Sequence, residues 1–108
     1  MTVYNLANDC QFNILNLSEP DREIDGVYIG DLLSWVMGKA KADDAWITIM
    51  SNINVVAVAS LSDVSCVVLA EGVEPDSDVI ATAKAKFVNI ISVDKGAYEI
   101  AALLSREL

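Results

Sequence analysis

At 108 residues the chain has room for a single domain, residues 1–108. Its 16 acidic residues against 7 basic ones give a net charge of −9, which repels a phosphate backbone and argues against nucleic acid as a partner. The absence of histidine, together with the wide separation of Cys10 and Cys66, excludes a zinc or transition-metal site and Ser-His-Asp catalysis.

Thr2 can cap a first helix whose apolar positions Val3, Leu6, Ala7 and Cys10 follow the i, i+3, i+4, i+7 rule. Phe12 to Leu17 alternates polar and apolar residues like a short strand, and Pro20 breaks the loop that follows. In that loop Arg22 is expected to pair with Asp21, Glu23 or Asp25. Ile24 to Ile29 reads as a strand ending at Gly30, after which Asp31 is expected to cap a helix carrying Leu32, Leu33, Val36, Met37 and Ala40 on one face. Trp35 falls off that face, at a position suited to a partner anchor. Ala45 to Met50 is a continuous apolar strand broken only by Thr48; Trp46 reads as core filling or as a second anchor.

Ser51 and Asn52 begin a helix, Ile53 to Leu61, that is apolar nearly all round and must be buried on most sides. Val64 to Ala70 is another unbroken apolar strand. Asp76 caps a helix with Val79, Ile80, Ala83 and Phe87 in register, Val88 to Val93 is the last strand, and Asp94 caps the final helix. Apolar strands separated by helices of about ten residues are the signature of βαβ units, and unbroken apolar strands need cover on both faces. The expected fold is a three-layer α/β domain with a four- to five-stranded, mainly parallel sheet and helices on both faces.

Hydrophobic residues make up 54% of the chain but aromatics only 6%. So much aliphatic surface on a small domain predicts a homodimer. Met1 to Asn5 lacks the basic and then apolar pattern of a secretory signal, and the most membrane-like window, Ile53 to Ala70, splits at Leu61-Ser62-Asp63-Val64. A cytoplasmic location, reduced cysteines and no membrane partner are expected.

Ligands of open parallel sheets gather at the carboxyl ends of the strands, where helix N-termini present free N–H groups. Here that rim carries Gly30 and Asp31, then Ser51, Asn52 and Asn54, then Glu71 and Gly72, and these seven residues form the expected ligand-binding set. Helix capping, worth about 1 kcal/mol each, competes with a ligand role at the polar positions. It accounts best for Asp76 and Asp94, whereas three polar side chains within residues 51–54 exceed what one cap needs. No GxxxxGK[ST], GxGxxG or GxSxG motif occurs, neither cysteine has the setting of an activated thiolate, and no catalytic residue, metal site or cofactor is expected.

The run Asp21-Arg22-Glu23-Ile24-Asp25-Gly26-Val27-Tyr28-Ile29-Gly30-Asp31-Leu32-Leu33-Ser34 resembles a DRTGG domain. Ser51-Asn52-Ile53-Asn54-Val55-Val56-Ala57-Val58-Ala59 and Leu69-Ala70-Glu71-Gly72-Val73-Glu74-Pro75-Asp76 extend the resemblance over essentially the whole chain. Glu23 stands where the motif's threonine would be, and no Gly-Gly pair follows. The resemblance implies an α/β domain similar to the N-terminal domain of HPr kinase/phosphorylase and to domains beside CBS domains in pyrophosphatases, with a regulatory role and a small-molecule or nucleotide ligand. Stand-alone copies resemble proteins encoded near iron-only hydrogenase genes, which implies the alternative of an interaction or assembly factor for a redox enzyme. No kinase activity is implied, since the kinase's P-loop domain is absent.

Overall fold

A computed structural model describes all 108 residues, Met1–Leu108. The elements follow in the order α1 (Val3–Asp9), β1 (Asn13–Asn16), β2 (Gly26–Ile29), α2 (Leu33–Lys39), β3 (Asp44–Thr48), α3 (Asn54–Ser62), β4 (Cys66–Leu69), α4 (Ser77–Lys86), β5 (Ile90–Ser92) and α5 (Ala97–Glu107). The five strands form one sheet in the order β1-β5-β4-β3-β2. Strands β2 to β5 are parallel, stepping one place at a time across the sheet, and β1 adds antiparallel to β5 through Asn13↔Ser92 and Ile14↔Ile91.

The two-residue period of the strands divides the core into halves. Ala45, Ile47, Cys66, Val68 and Ile91 point to one face and are covered by Val3, Leu6 and Ala7 of α1 and by Ile100 and Leu104 of α5. Trp46, Val67, Leu69 and Ile90 point to the other, beneath Val36 of α2, four residues of α3, and Val79 and Ala83 of α4. Helices therefore cover both faces of a mainly parallel sheet, as the unbroken apolar strands require. Trp46 is core: its ring is fully buried and its Nε1 donates to the Gly30 carbonyl at 2.9 Å. No helix is long and apolar enough to cross a membrane.

Thr2 caps α1 as expected, its Oγ1 accepting from Asn5 N at 3.0 Å while Asn5 Oδ1 accepts from Thr2 N. Two other expected caps are corrected. Leu32, not Asp31, occupies the N-cap position of α2, because the Asp31 carboxylate is turned back onto β3. Gly96, not Asp94, occupies that of α5. A Cβ at Gly96 would come within 3.2 Å of Glu71 Oε1, so glycine lets the Glu71 carboxylate approach the positive end of that helix.

Arg22 also differs from expectation. Its partners are neither Asp21 nor its other neighbours Glu23 and Asp25. Its Nε and Nη2 donate to Asp43 Oδ1 at 3.1 and 3.0 Å, Nη2 also reaches Asp63 Oδ1 at 2.8 Å and the Asp63 carbonyl, and Nη1 lies 3.4 Å from Glu19. Asp43 and Asp63 both sit at positive φ, 68° and 57°, in the turns that lead into β3 and β4. One guanidinium thus ties the loop after β1 to two tight turns, at the end of the sheet where the parallel strands begin. Asn89 completes this floor: its buried amide donates to the carbonyls of Glu19 and Ser65 and accepts from Glu19 N at 2.9 Å. The Ser65 hydroxyl donates to the Glu23 carbonyl.

Candidate functional site

The opposite end of the sheet, the rim, is where the parallel strands finish. The structure places the seven expected ligand-binding residues there, in three separate groups. Gly30 and Asp31 follow β2. Asp31 Oδ1 accepts from Thr48 Oγ1 at 2.7 Å and from Ile49 N at 2.9 Å, and the Thr48 hydroxyl in turn accepts from Met50 N, so β2 and β3 are latched together at their ends. A Cβ at Gly30 would lie 2.9 Å from the Tyr28 ring, so glycine gives that ring room beside the end of the strand.

Ser51, Asn52 and Asn54 follow β3. Asn52 Oδ1 accepts from Asn54 N at 2.9 Å, which satisfies one open donor in the first turn of α3. The Ser51 hydroxyl and the Asn54 amide make no hydrogen bond to another group of the chain and remain available. Glu71 and Gly72 follow β4. Glu71 N donates to the Lys95 carbonyl and Gly72 N to the Val93 carbonyl, both at 2.8 Å, and both residues have positive φ, 61° and 68°. No hydrogen bond joins one of the three groups to another.

The largest cleft, about 450 Å³, opens at the third group. Its walls are Cys10 to Asn13 at the α1–β1 corner, Gly72 and Glu74 after β4, and Ser92 to Lys95 after β5. The topology explains why a cleft forms here. The chain leaving β4 goes to α4 on one face of the sheet, and the chain leaving its neighbour β5 goes to α5 on the other. Where adjacent strands send their connections to opposite faces, the loops part and leave a crevice, the usual ligand position in open α/β sheets. Of the seven expected residues Gly72 lines this cleft; Glu71 lies beside it, and Gly30 and Asp31 line a smaller one of about 290 Å³ at the β2 edge.

The walls of the main cleft suit hydrogen bonding. Asn13 Nδ2 donates to Ser92 Oγ at 3.1 Å, which fixes both groups, and Gln11 at φ 56° is the left-handed residue that ends α1, where Phe12 N donates to the Ala7 carbonyl. Glu74, Asp94 and Lys95 bring charges of both signs to its mouth. The Cys10 thiol is pushed above its ordinary range by burial and then by the Asp9 and Glu107 carboxylates, against a smaller opposing effect of Lys95. It is held protonated and is not an activated nucleophile. Cys66, wholly buried in β4, is pushed up to about 12 by burial. No group of three or more Asp, Glu or Cys side chains is placed to hold a metal ion. The arrangement can bind and orient a polar molecule, but it shows no base paired with a nucleophile.

Gln11, Asn13 and Ser92 had no place in the expected set. The reasoning from carboxyl ends of parallel strands does not reach Gln11 and Asn13, which enter the cleft through the start of an antiparallel strand. Ser92 became significant only once β1 was paired beside it.

The family described as the DRTGG domain matches residues 5–106. No curated protein matches. Among solved structures, the CBS and DRTGG domains of the regulatory region of a Clostridium perfringens pyrophosphatase, complexed with the activator diadenosine tetraphosphate, superpose with a TM-score of 0.77 at 16% identity. The match covers 99% of this chain and 47% of that one, so the chain spans about half the length of that regulatory region, and the likeness is one of fold.

Proposed function

This chain belongs to the DRTGG domain family, and on that premise we propose that it is a non-catalytic regulatory module that binds a small polar molecule at the strand-end rim, as a cytoplasmic homodimer. The observation that carries the reading is the 450 Å³ cleft where the connections after β4 and β5 diverge. The regulatory region of the C. perfringens pyrophosphatase, taken with its CBS domains, binds a dinucleotide activator, which supports a regulatory ligand for this fold. Gly72 and its neighbour Glu71, with Gln11, Asn13 and Ser92, are the groups assigned to the ligand; Gly30, Asp31, Ser51, Asn52 and Asn54, expected beside them, stand elsewhere on the rim and are left out of this site.

The test is a thermal-shift screen of nucleotides, nucleosides and polar metabolites against the full chain. A ligand present at a hundred times its Kd stabilises the folded state by about 2.7 kcal/mol. A hit whose shift disappears in Ser92→Ala supports the site. The absence of any shift across the screen removes the ligand-binding reading.

A second reading, an interaction or assembly factor for a redox enzyme such as an iron-only hydrogenase, draws on the exposure of Trp35. It requires that Trp35→Ala abolish capture of that enzyme from the native host while the melting curve stays unchanged.

A further inference from the structure

The sheet has two free edges, and the sequence treats them differently. The β1 edge is blunted. Its register slips between Ile14 and Asn16, and the Asn16 amide turns inward to the Val88 carbonyl at 2.7 Å. Irregularities of this kind stop a further strand from adding. The β2 edge has no such device. Gly26-Val27-Tyr28-Ile29 pairs with β3 through four consecutive residues without a slip, and it contains no proline and no charge. Asp25 N donates to the Asp43 carbonyl, so the two-residue alternation turns the peptide groups of Gly26 and Tyr28 outward. A bare edge of this kind is a template for another strand.

The adjoining helix α2 repeats the pattern. Leu32, Trp35 and Lys39 form one stripe along it, at spacings of three and four residues, and face two clefts of about 290 and 420 Å³ that share Tyr28 as a wall. Leu32 is 61% exposed, Trp35 58% and Ile29 51%, next to one another on this one edge. Gly38 lies three residues beyond Trp35, and beyond its own helix backbone and chain neighbours nothing comes within 4 Å of where its Cβ would be. Glycine in a helix is less stable than alanine, and nothing inside the chain requires it here.

Charge selects the occupant. Lys39 and Lys41 lie at the lower end of this edge, in a cleft that Asp25 and Asp44 also line; Asp44 is buried with its Oδ2 held by Lys41 N, and Lys39 Nζ stands 4.9 Å over the Trp35 ring, which leaves the Lys41 ammonium group for a partner. At the upper end stands Asp31, whose Oδ1 is used by Thr48 and Ile49 while its Oδ2 makes no bond. A two-fold axis perpendicular to the sheet beside Tyr28 would set the upper end of one copy against the lower end of the other. Lys41 would then face Asp31, and the Gly38–Lys39 turn would face Leu32 and Trp35. A strand of another sequence would have to supply this pattern by coincidence; the same edge rotated supplies it by symmetry. We propose that β2 and α2 form the isologous interface of a homodimer, with β2 pairing antiparallel to β2 of a second copy so that the two sheets become continuous. The proposal rests on the homodimer named above and assigns it a surface.

The experiment is sedimentation velocity on the full chain, on Trp35→Glu and Gly38→Arg, and on Ile14→Glu at the blunted edge as a control. The wild type is expected at twice the chain mass of 11.6 kDa. Trp35→Glu and Gly38→Arg are expected at the monomer mass with cooperative melts retained, and Ile14→Glu at the dimer mass. A dimer that survives both α2 substitutions, or that Ile14→Glu dissociates, overturns the assigned surface while leaving a dimer in place. A wild type that stays monomeric up to its solubility limit overturns the homodimer and the surface together. Neither result bears on ligand binding at the rim.

Discussion

The two ends of the sheet are built from the same kinds of residue and treat them in opposite ways. At the floor each polar side chain with a structural task is tied to the backbone: Arg22 to the Asp63 carbonyl, Asn89 to Glu19 and Ser65, and Asp44, whose Oδ2 accepts from Lys41 N at 2.8 Å. At the rim Ser51 and Asn54 keep their side chains free, and a 450 Å³ cleft stays open. The polar groups of the floor secure the chain and several of those at the rim are left free, which separates stability from function along the strands.

The sharpest way to break this contrast is at Arg22, whose side chain is only 19% exposed. Arg22→Ala should cost about 2 to 3 kcal/mol, since the Asp63 carbonyl and the part-exposed carboxylates of Asp43, Asp63 and Glu19 lose their shared donor and the half-buried stem its packing; a chemical denaturation curve that hardly moves would mean that the floor is not what holds the fold. Asn89→Ala should follow at about 2 kcal/mol, because the Glu19 amide and carbonyl and the buried Ser65 carbonyl lose their partner. Burial also sets a pH limit. Cys66 releases its proton near 9 in the unfolded chain and near 12 in the folded one. Its contribution is complete below pH 9 and falls by about 1.4 kcal/mol per pH unit between these values, as the unfolded state is favoured by deprotonation. Cys66→Ala should begin less stable and show a flatter alkaline limb in denaturation series taken above pH 9.

The rim should respond in the other direction. Gln11→Gly relieves a left-handed conformation and should raise stability by about 0.5 kcal/mol while weakening any ligand that shifts the wild-type melt. The smallest effect on folding belongs to Ser92→Ala, which should leave the melting temperature in place and remove only the ligand response. A rim substitution that destabilises as much as Asn89→Ala would erase the distinction between the two ends.

What the sequence made legible follows how local each cause is. Helix α1 is written in six residues, since Thr2 and Asn5 cap each other and Val3, Leu6 and Ala7 share a face. The unbroken apolar runs around Trp46 and Val67 announced strands covered on both sides, and both are buried. Strand order was not readable, because nothing within Asn13–Asn16 says that its partner lies at Ile90–Ser92. The cleft was hidden for the same reason. Arg22 was misassigned because charge pairing was sought among its neighbours, whereas Asp43 and Asp63 come to it only when the α2–β3 and α3–β4 turns are brought side by side. The Asp31 carboxylate looked like a cap until β3 supplied the hydroxyl of Thr48 and the amide of Ile49.

The antiparallel docking of β1 also has a consequence in time. Strands β2 to β5 can assemble in the order in which they leave the ribosome, each beside the one before. Strand β1 is made before any of them, yet it must wait for β5: Asn13 and Ser92, which join its edge, are 79 residues apart in the chain. Loop closure over such a span comes late and slows the search for the native state. Residues 1–4, which pair with residues 20–24, can settle early, whereas β1 is among the last elements to be secured, and the main cleft, one wall of which it builds, forms only once β5 is in place.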